Sequence, residues 1–235
     1  MQKLKVGMLL FPDLTILDFT GPYDVFVKAP CFDVIIIGET TALIRAEGGL
    51  LLQPEVAIHD CPQLDVLFVP GGKGINACLT NPVILQFLQQ QAVQAKYITS
   101  VCTGALVLAA AGLLDGYKAT THWRSLELLR MFGVDTVEER VVRDRNRITG
   151  GGVTAGIDFG LVLTALIGGE ETAKIVQLQL EYNPAPPFRA GSPNTAGLPV
   201  LQKTKELTAH MVDTRKHIIR QLLQDRAAAS AAPPQ

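Results

Sequence analysis

The segment Tyr97-Ile98-Thr99-Ser100-Val101-Cys102-Thr103-Gly104 decides the fold of this chain. Its first five residues, YITSV, are rich in β-branched side chains and read as a buried strand. The strand stops at Cys-Thr-Gly, and ALVLAAAGLL follows as an apolar helix. A strand that turns sharply into a helix at a nucleophile, with Gly two residues later, is the pattern of a nucleophile elbow. Gly104 suits the turn because a larger side chain would crowd it. Such a turn lifts the side chain above the sheet and aims it at a helix N-terminus. Backbone N–H groups and the helix dipole there favour a thiolate over a thiol. Cys102 is therefore the candidate nucleophile, although an isolated Cys is more often a small buried hydrophobe. Ser100 stands where the elbow pattern has its first Gly, and Ser is still small.

Outward from the elbow, buried strands alternate with helices. Residues 4–10, 31–38 and 64–69 read as strands, with short strand candidates at 42–45 and 50–56. A helix is predicted over 82–95, with Asn81 as N-cap and Pro82 in its first turn. The elbow helix closes near Gly112 or Gly116. A short amphipathic helix covers 123–132, short strands fall in 136–149, and helices cover 155–167 and 170–182. Residues 183–198, rich in Pro and Gly, form an irregular connection to a long amphipathic helix over 199–224. This alternation implies the α/β class, with a mostly parallel central sheet covered on both faces. No internal repeat or clean boundary appears. The simplest organisation is an α/β domain over 1–188 and a C-terminal helical extension over 189–225 packing on the same domain. Residues 226–235, ending AAASAAPPQ, then form a disordered tail.

Composition narrows the function classes. The 235 residues are 48% hydrophobic and 18% charged, enough for a sizeable core and unlike a disordered chain. Net charge is -1 and no basic block stands out, which argues against nucleic acid as a partner. Pro12 and Asp13 interrupt the first apolar run before it resembles a signal peptide. The longest apolar stretches are too short to span a bilayer, so no membrane role and a cytoplasmic location are expected. Cys31, Cys61, Cys78 and Cys102 form no C-x-x-C pair, and none of the four histidines shows ligand spacing. No metal is expected.

Open parallel sheets bind ligands outside the carboxyl ends of their strands, and three features fall at such ends. They are PDLTILDFTGPYDVF after the first strand, PGGKG after LDVLFV, and the Cys102 elbow. Asp18 is the acid to place beside Cys102, as general base or acid with a pKa raised by burial. It reads equally well as the cap of a helix entering at Gly21-Pro22. Asp13 has the look of turn chemistry, and Asp24 of a favourable charge in a helix first turn. Gly71 and Gly72 let the backbone approach a ligand, and their N–H groups suggest an oxyanion-hole-type pocket; a tight turn explains them too. Lys73 reads as a solvated neighbour. Gly150-Gly151-Gly152 fits a dinucleotide fingerprint only weakly, because Glu170 opens a helix where that site needs an acid at a strand end. The triple Gly reads as a turn. A Cys hydrolase of the usual kind needs a nearby His, yet Thr103 follows Cys102. His122, in TTHWRS, reads as a structural residue beside Trp123, with a catalytic role as the alternative. Thr103 offers a hydroxyl for orienting substrate or water, or for local capping.

Together SVCTGALVLAAAGLLDG, ATTHW, ITGGGVTAGIDFG and LLFPDLTILDFTGPYDVF resemble the ThiJ/PfpI superfamily, within the class I glutamine-amidotransferase-like fold. They are similar to one branch of it, which holds isonitrile-hydrating enzymes and the ligand domains of certain AraC-type regulators. QLEYNPAPPFRAGSP favours the enzymes, and no helix-turn-helix segment follows. The resemblance implies a flavodoxin-like three-layer sandwich and a homodimer. It maps the nucleophile onto Cys102, the acid onto Asp18 and a supporting hydroxyl onto Thr103. It implies addition of water to an isonitrile through a Cys102 thioimidate, giving an N-substituted formamide without a cofactor. Thr103 breaks the His-containing pattern of protease-like members. Glyoxalase-type thiol chemistry on aldehydes and a non-catalytic ligand-binding module are the competing classes.

Overall fold

A computed structural model describes residues 3–231 of the chain, with side chains through 228. The elements run β1 (Leu4–Leu9), α1 (Ile16–Lys28), β2 (Phe32–Gly38), β3 (Ile44–Arg45), β4 (Leu51–Leu52), β5 (Val56–Ala57) and β6 (Val66–Val69). There follow α2 (Ile75–Cys78), α3 (Pro82–Ala92), β7 (Tyr97–Val101), α4 (Gly104–Ala110), β8 (Lys118–Ala119), α5 (Leu126–Arg130) and β9 (Asp135–Thr136). The chain ends with β10 (Val141–Asp144), β11 (Arg147–Gly150), α6 (Ala155–Gly168), α7 (Glu170–Gln179) and α8 (Leu198–Ala231).

Seven strands form the central sheet in the order β10-β11-β7-β6-β1-β2-β5. Every pairing in it is parallel except β10 with β11 at one edge. The parallel strands are apolar because both their faces are covered; β6 is buried at every residue and β7 at all but its first. One packed group of helices is α1, α6 and α7; the other centres on α4, with α2, α3 and α5 against it. Phe26 of α1, Phe159 of α6 and Phe68 of β6 interlock between sheet and helices, Phe68 and Phe159 stacking at 5.6 Å. On the α4 side, every residue of GALVLAA is buried. The mostly parallel α/β sandwich expected from the sequence is the fold observed. Asn81 caps α3 as expected, its side chain accepting from the N–H groups of Val83 and Ile84.

Two expectations are corrected. Helix α1 begins at Ile16, not at Gly21-Pro22, and Pro22 lies inside it. Phe19, Pro22, Val25 and Phe26 are all buried on one side of that helix, and burying this stripe outweighs the backbone bond that Pro22 forfeits. The C-terminal helix does not stop before a disordered tail from 226 but continues to Ala231. Ala is the strongest helix former, and the run AAASA contains no breaker. The remainder of the expected tail, 232–235, lies outside the described residues.

Candidate active site

Neighbouring strands β1, β6 and β7 deliver their following loops to one place at the carboxyl edge of the sheet. The order of strands reverses there, since β2 lies on one side of β1 and β6 on the other. Cys102 follows β7 directly and takes φ of +52°. Its backbone is pinned from both sides in this left-handed conformation. The Cys102 N–H is shared by the Gly150 and Gly151 carbonyls at 3.0 and 2.8 Å, and its own carbonyl accepts the Thr121 hydroxyl at 2.7 Å. Gly104 makes the turn possible: a Cβ there would lie 2.2 Å from the Val69 carbonyl oxygen at the end of β6. The elbow read from the sequence is therefore the geometry found.

Asp18 sits in the first turn of α1, fully buried. It does not cap the helix; Thr15 holds the N-cap position, and the Thr15 hydroxyl donates instead to Glu47. Neither Asp18 carboxyl oxygen has a hydrogen bond of standard geometry, which is costly for a buried acid. Loss of solvent raises its pKa to about 7, partly offset by the nearby Cys102 thiol and Gly71 N–H. Burial, then the Asp18 carboxylate, hold the Cys102 thiol well above its ordinary value, against smaller pulls from the Thr103 backbone and Arg215. The thiolate expected from the helix N-terminus is thus corrected. Helix α4 spans only Gly104–Ala110, and desolvation outweighs its dipole at a buried sulfur. Near neutrality Cys102 therefore keeps its proton, and Asp18 exchanges between its neutral and ionised forms.

Gly71 is squeezed between these groups. A Cβ on it would meet Thr103 N at 2.6 Å and an Asp18 carboxyl oxygen at 2.7 Å. The Gly72 N–H donates to Thr103 Oγ1 at 3.0 Å, and that hydroxyl points back to the Gly72 carbonyl at 3.4 Å. The Gly72 N–H, taken by Thr103, is not free for the expected oxyanion pocket, while the Gly71 N–H lies near Asp18 without a hydrogen bond of standard geometry to it. Buried N–H groups of a tight turn take protein partners first. Thr103 therefore braces the glycine loop rather than capping α4.

A cavity of about 270 Å³ opens over the sulfur, walled by Thr15, Gly72, Cys102, Thr103, His122 and Val153, with Glu47 and Lys73 at one side. Lys73 is exposed and paired with Glu47 at 3.0 Å. His122 accepts the Arg124 N–H through Nδ1 at 3.2 Å and lies 5.9 Å from the Trp123 ring. Burial and two arginine charges push its pKa down to about 4, so the ring is neutral at physiological pH and a poor general base. Asp13, exposed with φ of +56°, and Asp24, exposed in the middle of α1, stand away from the cavity lining. The triple Gly is the turn from β11 into α6, as expected, and Glu170 opens α7.

The remaining wall comes from α8, through Thr208, Met211 and the buried Arg215. Sequence reasoning passed over all three. The available signal was a cation on an apolar stripe, since Arg215 falls between Met211 and Ile219 at helical spacing.

A buried thiol on a strand–helix elbow, facing a buried carboxyl in an open parallel α/β sandwich, defines a cysteine-elbow protein of the amidotransferase-like type. The DJ-1/PfpI family model matches residues 4–166, and the chain belongs to that family. It is 48% identical over 228 residues to an isonitrile hydratase from Pseudomonas putida, covering 97% of this chain and 98% of that one. The crystal structure of a ThiJ/PfpI family protein from Pseudomonas syringae superposes with a TM-score of 0.90 at 42% identity, covering 93% of this chain and 91% of that one. The HTH-type transcriptional regulator GbdR of Pseudomonas aeruginosa is 36% identical over 141 residues, 59% of this chain but only 38% of the regulator.

Proposed function

We propose that this chain hydrates isonitriles to N-substituted formamides, with Cys102 as nucleophile, Asp18 as proton shuttle and Thr103 as the brace of the site. The near full-length match to an isonitrile hydratase carries the reading. A protonated thiol beside a carboxyl that titrates near neutrality supports a mechanism. Asp18 removes the thiol proton as sulfur bonds to the terminal carbon of R–N≡C, then returns it to that carbon. The product is the thioimidate R–N=CH–S–Cys102. Water adds to the same carbon while the nitrogen takes up a proton. The C–S bond then breaks, leaving R–NH–CHO and the thiol. A carboxyl with a pKa of about 7 suits both directions of transfer near neutrality. Gly71 and Gly72 shape the loop over the sulfur.

The chain is further read as one folded unit, α8 included, working as a cytoplasmic homodimer. Among the described residues no helix is long and apolar enough to cross a membrane. Exposed Leu17 and Val162, on the packed pair α1 and α6, offer apolar surface for a second copy. Light scattering checks the mass.

The decisive assay is formamide production from a bulky alkyl isonitrile by the parent and by Cys102→Ala. Formamide from the parent, reduced by on the order of 10³-fold or more in the variant, is expected. Undiminished turnover by Cys102→Ala overturns the mechanism. Lactate from methylglyoxal, with no formamide, moves the protein to aldehyde chemistry. Ligand binding without turnover in either protein makes it a binding module.

A further inference from the structure

Among the described residues, the largest fully buried side chain is a cation, Arg215, at 1% exposure. Its Nε–H donates to Asn76 Oδ1 at 2.9 Å and its Nη2 to the Gly72 carbonyl at 3.2 Å. These bonds leave most of its N–H donors without a protein acceptor. No carboxylate lies within ion-pair distance of it among the described residues. A buried cation without a counter-ion is destabilising, so an apolar side chain would serve packing better. Arg215 nevertheless lines the same cavity as Cys102.

We propose that Arg215 is a positioning residue for Cys102, a fixed buried charge that favours the sulfur anion formed on the way to the covalent adduct. The charged and titratable groups around the sulfur leave it this role. Asp18 opposes the anion from α1. Glu47 and Lys73 neutralise each other at the cavity edge. His122 is neutral. Arg124, also without a carboxylate partner among the described residues, acts on His122 and is tied to Thr208 but does not itself line the cavity. Arg215 is therefore the unpaired positive group that lines the cavity with Cys102, and the charges of the two act on each other. Its anchor also matters. The Gly72 carbonyl it grips is the one that Thr103 Oγ1 addresses, so α8 holds the glycine loop and the elbow in a single arrangement. The cation comes from outside residues 4–166, beyond the part of the chain matched by the family pattern.

The inference rests on Cys102 being the nucleophile but not on the identity of the substrate. It is tested without isonitrile, so its failure and a failure to form formamide are separate results. The pH dependence of Cys102 alkylation by iodoacetamide is followed by mass spectrometry of the Cys102 peptide. Parent, Arg215→Met and Arg215→Lys are compared, with urea melts alongside. Arg215→Met is expected to raise the alkylation midpoint by about one pH unit, because an opposite charge near the thiol has been removed. Its urea midpoint should stay close to the parent's, because losing the bonds to Asn76 and Gly72 is offset by removing a buried unpaired charge. Arg215→Lys, which keeps the charge, should keep the parental midpoint. A parental midpoint in Arg215→Met overturns the proposal, as does a shift in Arg215→Lys as large as in Arg215→Met. Unfolding of Arg215→Met assigns Arg215 to packing and likewise overturns it.

Discussion

Helices α4 and α8 border one cavity but are held in different ways. All seven residues of α4 are buried, and none carries a polar side chain. Its Leu and Val side chains each contribute about 1.5–3 kcal/mol by leaving water. Helix α8 is 34 residues long, yet only Arg215 and Ile219 are buried among its described side chains. Polar ties hold it as well: Arg124 to Thr208, Arg215 to Asn76 and Gly72, and Arg226 to the Ala110 carbonyl. Ties of this kind contribute about 1 kcal/mol each. The proposed nucleophile, Cys102, therefore stands on the core, while one wall of the cavity and the Arg215 charge stand on a superficial element. Chemistry and pocket shape are separable in this molecule, and substitutions can ask how far.

The most severe test attacks the elbow. Gly104→Ala sets a Cβ against the Val69 carbonyl, which is backbone and cannot swing aside. A stability loss of about 3 kcal/mol or more is expected, with loss of activity in what remains folded. A urea midpoint equal to the parent's would mean that the elbow is looser than α4 implies.

Asp18→Asn sharpens the comparison by separating fold from chemistry on the rigid side. Turnover should fall by about 10²-fold or more, as for loss of a general acid–base group. Stability should move the other way. The folded pKa of Asp18 is raised from 3.8 to about 7, so its buried neutral form is fully compatible with the fold only at acid pH. Between pH 4 and 7 the native state holds a proton that the unfolded state releases, and stability falls as pH rises. Asn has no such proton. The variant should gain on the parent across that window, by on the order of 2–4 kcal/mol, and stay level above it. His122 has the opposite slope, because it is buried neutral and must charge as pH falls toward 4. Only the difference between parent and Asp18→Asn isolates Asp18. A pH-independent difference in urea midpoint would show that the carboxyl is not the titrating group.

The mildest change is on the α8 side. Met211 is half-buried in the cavity wall. Met211→Ala should cost about 1 kcal/mol or less, below the range for fully buried Met. KM for a bulky isonitrile should change severalfold while kcat holds. A fall in kcat to match that of Asp18→Asn would erase the distinction between wall and chemistry.

This distinction also marks what the sequence could disclose. Strands β1, β6 and β7 were legible because parallel strands covered on both faces read as unbroken apolar runs. The elbow was legible because a tight strand–helix turn demands Gly104. Asp18 was ambiguous because Pro22 argued for a later helix start, and only the burial of Phe19, Val25 and Phe26 settles the matter. The amide of Gly72 looked available because a linear pattern does not show that the Thr103 hydroxyl turns toward it. The protonated thiol was missed for a similar reason, since burial depth is a property of the whole assembly. Arg215 lies 113 positions beyond Cys102 on an amphipathic helix, and no local rule links the two.

The left-handed backbone at Cys102 has an evolutionary consequence. Only Gly, and to a lesser degree Asn or Asp, sits in that conformation without a penalty of roughly 1–2 kcal/mol. Selection for persistence of the fold alone would drift this position toward glycine. A cysteine there carries a conformational cost that packing does not require and that the proposed nucleophilic role accounts for.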